Sequence, residues 1–86
     1  MPDASAPYRP INCEFHDLLE AAATRGRVAA LELIGDDGTP RHCHARIIDL
    51  VARDGIEWML LDSGERIRLD RIVAIDGEPL AGYPPG

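Results

Sequence analysis

The spacing of apolar residues in this chain changes at Gly26, from a helical period to a period of two. Before Gly26, apolar residues recur at the spacing i, i+3, i+4 and i+7, which is the stripe of one amphipathic helix. They are Phe15, Leu18, Leu19 and Ala22. Asn12 is a good N-cap, and Gly26 can adopt the left-handed conformation that ends a helix. The pattern therefore predicts a helix from about Cys13 to Thr24.

After Gly26, short stretches of alternating apolar and polar residues are separated by turns rich in Asp and Gly. This pattern is typical of β-strands joined by tight turns. Five strands are predicted, at 27–34, from Pro40 through Ile47, and at 56–61, 65–69 and 71–75. One helix and five short strands predict a mainly β chain that folds as a strongly bent antiparallel barrel. The helix is expected to cover one end or face of this barrel.

Strand alternation also predicts which side chains point into the core. The inward sets are Ala29, Leu31 and Leu33 in the first strand, Cys43, Ala45 and Ile47 in the second, Ile56, Trp58 and Leu60 in the third, and Ile67 and Leu69 in the fourth. Arg66 and Arg68 are predicted to point outward. Both large aromatic side chains, Phe15 and Trp58, are therefore expected in the core.

The length of 86 residues suits one small domain with a thin core. We expect this domain at 8–76, with a flexible tail at 1–7 and a Pro/Gly-rich tail at 77–86 that Leu80 and Tyr83 could attach to the domain. The chain shows no secretory signal and no apolar run near the ~20 residues that cross a bilayer. We therefore expect a cytoplasmic protein without a membrane partner, with both cysteines reduced.

The formal net charge is −6, and all nine basic residues are arginines. An acidic domain is poorly suited to hold a phosphate backbone, because that interaction depends on a surplus of basic groups. It is better suited to a basic protein surface. The helix fits this expectation, because Glu14, Asp17 and Glu20 lie away from its apolar stripe and no arginine falls between Asn12 and Thr24. The alternative is an ordinary solvated face.

Two motifs resemble halves of a metal site: Cys13 with His16, and His42-Cys43-His44. Zinc needs convergent ligands, but His42 and His44 share one face of a strand while Cys43 points to the other. The expectation is therefore no metal and no cofactor, with Cys43 as a small core residue. Catalysis is not expected either, because the chain shows no paired carboxylates, no phosphate-binding Gly-rich loop and no oxyanion hole.

Several segments resemble the Rho-binding antiterminator family, the Rof-type inhibitors of the transcription terminator Rho. In order along the chain they are Tyr8-Arg9-Pro10-Ile11-Asn12-Cys13, Asp17-Leu18-Leu19-Glu20, Leu31-Glu32-Leu33, Asp49-Leu50-Val51-Ala52-Arg53, Glu57 and Arg68-Leu69-Asp70-Arg71-Ile72. The resemblance covers about 8–75, and the Pro-Ile-Asn-Cys opening is its most specific part.

The resemblance implies an N-terminal helix on a five-stranded Sm-like (SH3-like) barrel. It also implies a monomeric, non-enzymatic protein that binds the Rho hexamer at or near its primary RNA-binding sites and so blocks RNA loading. The contact surface in this family is acidic, centres on the helix and includes a loop between middle strands. The candidate partner-binding residues are Glu14, His16, Asp17, Glu20, Asp62 and Glu65. Phe15 and His16 stand where the family has an acidic residue and an aromatic hydroxyl.

Three other hypotheses remain at this point. An Sm-like RNA-binding module would share the fold, although it should be basic and self-assembling. A metal or redox protein would use Cys13 and the histidines. An adaptor for another basic partner would use the same helix face as a Rho inhibitor.

Overall fold

The computed structural model describes residues 7–35 and 37–83. The elements in chain order are a helix α1 (Cys13–Arg25), strands β1 (Val28–Ile34), β2 (Pro40–Arg53), β3 (Ile56–Leu61) and β4 (Arg66–Arg68), a 3-10 turn (Leu69–Arg71), strands β5 (Ile72–Ile75) and β6 (Glu78–Pro79), and a second 3-10 turn (Leu80–Gly82).

Helix α1 begins and ends where its capping residues predict. The Asn12 side-chain oxygen accepts hydrogen bonds from the backbone N–H groups of Glu14 (2.7 Å) and Phe15 (3.2 Å). These N–H groups have no partner within the helix, so the cap stabilises the first turn. Gly26 ends the helix in the left-handed conformation, with φ of 65°. The predicted helix is confirmed and is one residue longer at its C-terminal end.

The strands form one antiparallel sheet in the order β4-β3-β2-β1-β5-β6. Strand β2 has 14 residues; 40–46 pair with β1, and its pairing with β3 runs from Ile47 to Arg53. The register shifts between Ile47 and Asp49, and such a bulge bends a strand. The prediction of a mainly β, bent antiparallel fold with one helix is confirmed, with six strands in place of five.

The sixth strand, β6, follows from a turn that the sequence prediction did not use. Asp76 and Gly77 both have positive φ, 49° and 82°, as do Asp54 and Gly55 in the β2–β3 turn, 56° and 79°. Two-residue turns of this kind join hairpin strands because their twist matches that of the sheet. The Asp-Gly pair at 76–77 therefore predicts a hairpin turn, as the pair at 54–55 does.

The core lies between the apolar stripe of α1 and the inner face of the sheet. Phe15 and Leu19 are fully buried there. The sheet residues of this core are Ala29, Leu31, Leu33, Ala45, Ile47, Met59, Leu61, Ile72 and Ile75, and Leu69 of the first 3-10 turn joins them. The inward sets predicted for β1 and β2 are confirmed, with Cys43 partly buried against the core. The inward residues predicted for the fourth strand, Ile67 and Leu69, also pack there.

The inward set predicted for β3 is partly wrong: Trp58 is buried, as predicted, but Ile56 and Leu60 are only half-buried. Met59 and Leu61 face the core, whereas Trp58 is buried outside the core cluster, with the Arg66 guanidinium 4.9 Å from its ring. The error has a physical reason. Five of the six residues of β3 are apolar, so alternation alone does not define the inner face.

The outward prediction for Arg68 is also wrong, because this side chain is 1% exposed. Its Nε and Nη2 atoms donate to the two carboxylate oxygens of Asp70 at 3.0 and 2.6 Å. A buried charge is tolerated when it is paired and hydrogen-bonded in this way. Arg66, which was also predicted to point outward, is exposed.

Residues after Asp76 remain packed on the domain as far as Tyr83. Leu80 and Tyr83 are partly buried against the core, and the Tyr83 ring meets Phe15 edge-on at 5.4 Å. The parts of the predicted tails at 1–6 and 84–86 lie outside the described residues. Within the described ranges, no helix has both the length and the apolar character needed to cross a membrane.

Candidate partner-binding surface

Helix α1 presents its carboxylates to solvent because its opposite side is buried in the core. Glu14, Asp17 and Glu20 are exposed, while Phe15 and Leu19 are not. Within the described part of the chain, the only ionisable side chain that contacts one of these three carboxylates is His16, which lies beside Glu20. The helix face is therefore acidic along its length, as the sequence predicts.

His16 connects this helix face to the sheet. Its Nδ1 atom lies 3.0 Å from Glu20 Oε1, and its Nε2 atom lies 3.2 Å from Glu57 Oε2 on β3. The Tyr8 hydroxyl donates a hydrogen bond to the other oxygen of Glu57 at 3.0 Å. Burial, and then the neighbouring Glu57, raise the pKa of Tyr8, so its hydroxyl remains a neutral donor. Each contact holds a carboxylate in a defined position.

The buried Arg68–Asp70 pair holds the segment that carries Tyr8. Arg68 Nη2 donates to the backbone carbonyl of Pro7 at 3.0 Å, and the Arg9 N–H donates to Asp70 at 3.2 Å. The Arg68 guanidinium also lies 5.6 Å from the centre of the Tyr8 ring. The pair therefore positions Tyr8 and, through it, the carboxylate of Glu57.

A further carboxylate lies near the C-terminal half of the helix. Asp49 on β2 and Glu20 on α1 line the same surface depression. We define the acidic surface as Glu14, Asp17, Glu20, Asp49 and Glu57. Asp49 and Glu57 were not among the partner-binding residues predicted from the sequence. The available signal was an acidic residue inside an apolar strand segment, as in Ile48-Asp49-Leu50 and Ile56-Glu57-Trp58.

The other two predicted residues lie in the β3–β4 turn and have partners there. Glu65 accepts hydrogen bonds from both terminal nitrogens of Arg41, at 2.8 and 2.6 Å, and these bonds hold the pKa of Glu65 below its usual value. Asp62 accepts a hydrogen bond from the Arg46 backbone N–H at 3.3 Å. In the described structure, neither forms a hydrogen bond or ion pair with α1.

In the described ranges, the two sequence motifs that resemble a metal site do not contribute ligands to one common group. His42 and His44 are exposed on β2, where they pair across from Glu32 and Ala30 of β1. Cys13 and Cys43 are both free thiols. One group of potential ligands occurs in the described ranges, formed by His16, Asp17 and Glu20, whose ligand atoms lie within 4.8 Å of one another. Exposed acidic groups of this kind are common without a metal.

No family model matches the chain. It is similar to Protein rof of Escherichia coli (strain K12), with 37% identity over 70 residues. The match covers 78% of this chain and 79% of that relative. Protein rof of Shigella flexneri matches with the same identity and coverage. The chain therefore belongs to the family of Protein rof.

Proposed function

We propose that this chain is a non-enzymatic inhibitor of the transcription terminator Rho. It binds the Rho hexamer at or near its primary RNA-binding sites as a monomer in the cytoplasm, and RNA can then no longer load. Membership of the Rof family supports the choice of partner. The observation that carries the proposal is the acidic surface, in which His16 and Tyr8 hold carboxylates in place.

The proposed mechanism is electrostatic competition. A protein site that holds RNA presents basic groups to the phosphates, and these groups also attract an array of carboxylates. A net charge of −6 steers the chain toward such a site. The attraction acts over a screening length of about 10 Å at 0.1 M salt, so binding weakens as salt is added. RNA and the acidic surface then compete for the same cations.

The test is binding of this chain to purified Rho at low and moderate salt, with and without a pyrimidine-rich RNA. The expected result is binding that weakens with salt and that the RNA displaces. The absence of binding at low salt would contradict the proposal. Binding that RNA leaves unchanged would reject competition at the RNA sites.

The role of the helix is tested by a matched pair of charge reversals. Asp17→Lys places a cation in the acidic surface, whereas Glu32→Lys makes the same change in net charge on β1. Glu32 lies between the core residues Leu31 and Leu33, so it points away from the side that α1 covers. We expect Asp17→Lys to weaken binding strongly and Glu32→Lys to weaken it only slightly. Equal effects would mean that net charge alone governs binding.

RNA binding by an Sm-like barrel is the second candidate, and one observation favours it. The lining of a cleft of about 570 Å³ includes Trp58 and four arginines, together with the carboxylates of Asp37 and Glu65; the arginines are Arg41, Arg66, Arg68 and Arg71. However, Arg41 and Arg68 form ion pairs with Glu65 and Asp70. A gel-shift with single-stranded RNA separates the two functions, because an Rho inhibitor of this kind leaves the RNA unshifted.

A further inference from the structure

At the bulge in β2, the side chain of Ile48 faces solvent beside the acidic surface. Ile47 is 1% exposed and belongs to the core, whereas Ile48 is 60% exposed. The register shift lies between Ile47 and Asp49, so Ile48 is the additional residue. Bulges commonly redirect a side chain in this way. Ile48 and Asp49 consequently both face solvent.

Ile48 forms one wall of a small depression between the strand and the helix. Its volume is about 250 Å³, and its lining residues are Glu20, Ala23, Thr24, Ile48, Asp49 and Leu50. The lining includes two carboxylates and no basic side chain. Pockets for drug-sized ligands measure about 300–1,000 Å³. This depression suits a smaller occupant, such as one side chain.

We propose that this depression receives a lysine or arginine side chain of Rho, an inference that rests on the proposed function. The aliphatic stem packs against Ile48 and Ala23, and the cationic end lies between the carboxylates of Glu20 and Asp49. Lysine and arginine combine an apolar stem with a charged end, and the depression combines the complementary features. Ile48 would thus add an apolar contact to a surface that otherwise binds through charge.

Isolated exposed apolar residues are common, so the test needs a matched control. Val28 provides one, because it is 53% exposed. It lines a different depression, whose charged residues are Arg25, Arg27 and Asp76. Ile48→Ser and Val28→Ser therefore remove similar exposed apolar side chains from surroundings of different charge. Both positions are exposed, and thermal unfolding of each variant verifies that the fold is retained.

The first experiment measures the Kd for Rho at low and moderate salt. We expect Ile48→Ser to raise the Kd about tenfold at both salt concentrations, because the lost contact is apolar. Asp49→Asn should raise the Kd mainly at low salt, since its contribution is screened. Val28→Ser should bind as the unsubstituted chain does. If the unsubstituted chain binds Rho and Ile48→Ser binds equally well, the inference is overturned.

A second experiment tests the chemistry of the depression without Rho. Pentalysine is titrated into the isotope-labelled chain, and NMR follows the Ile48 methyl group and the Asp49 backbone amide. Both signals should shift, while the Val28 methyl groups should not. Shifts at Ile48 without any binding to Rho would reject the proposed function and support the binding of basic side chains. Unchanged Ile48 signals would overturn the inference, whether or not Rho binds.

Discussion

The imidazole of His16 and the carboxylate of Glu57 lie 3.2 Å apart and join helix α1 to strand β3. The other nitrogen of the same ring contacts Glu20 at 3.0 Å. His16 was predicted from sequence to contact the partner directly. Its position between two carboxylates indicates a structural role, which is to fix the spacing of acidic groups on two different elements.

The coupling between His16 and Glu57 can be measured by a double-mutant cycle. We expect His16→Ala and Glu57→Gln each to destabilise the fold slightly, with a coupling free energy of about 0.2–1 kcal/mol, as for other partly exposed pairs. Urea denaturation of the two single variants and the double variant gives this value. Strictly additive effects would show that the contact does not stabilise the fold.

Charge reversal at Asp17 should weaken Rho binding more than truncation does. Asp17→Ala removes one attraction, whereas Asp17→Lys also adds a repulsion, so the loss of binding free energy should roughly double. Titration of Rho with both variants at low salt measures this ratio. The difference in affinity between the two variants should diminish at high salt. If Asp17→Lys binds as tightly as the unsubstituted chain, this helix face has no role in binding.

Loss of the buried Arg68–Asp70 pair should be the most destabilising of these changes. Replacing Arg68 by Gln leaves the Asp70 carboxylate, which is 13% exposed, without its charged partner. Breaking a buried pair on one side costs about 3–5 kcal/mol. Chemical denaturation of Arg68→Gln should show a loss of this size, while Arg66→Gln at an exposed position should lose less than about 1 kcal/mol. Similar losses for both variants would contradict the placement of Arg68 in a buried ion pair and of Arg66 at the surface.

Acid should weaken the contact between Glu65 and Arg41. The hydrogen bond from Arg41 lowers the pKa of Glu65 from its usual value of 4.5. A carboxyl group whose pKa is lower in the folded chain stabilises the fold above its unfolded pKa and loses that contribution as pH falls. The loss should begin near pH 4.5 and continue below it. NMR titration of Glu65 in Arg41→Gln should show the pKa returning toward 4.5.

The sequence predicts the helix and β1 well because each has one continuous apolar face bounded by polar residues and turn signals. Phe15 and Leu19 can be buried in only one helix orientation, and capping by Asn12 and Gly26 limits the ends. In β3 the apolar residues occupy both faces. The choice between Trp58 and Met59 as the core residue depends on which strand pairs beside it, and a local pattern does not contain that information.

For the charged residues too, exposure is predictable where it depends on local sequence and not where it depends on residues far away in the chain. The exposure of Glu14, Asp17 and Glu20 follows from the helix period. The burial of Arg68 does not, because it depends on Asp70 and on the segment at Pro7, which is 61 residues away in sequence. Asp49 and Glu57 likewise join the acidic surface only when the strands pack beside α1. The helix carboxylates of the acidic surface are therefore predictable from the sequence, whereas its two carboxylates on the strands are not.

Strand β2 pairs with β1 over one half and with β3 over the other. Core residues from both halves, among them Leu31 on β1 and Met59 on β3, pack in one cluster with the buried side of α1. We therefore expect the two halves to open together in one cooperative event. Amide hydrogen exchange should give similar opening free energies for Leu31, on β1, and Met59, on β3, both equal to the global free energy of unfolding.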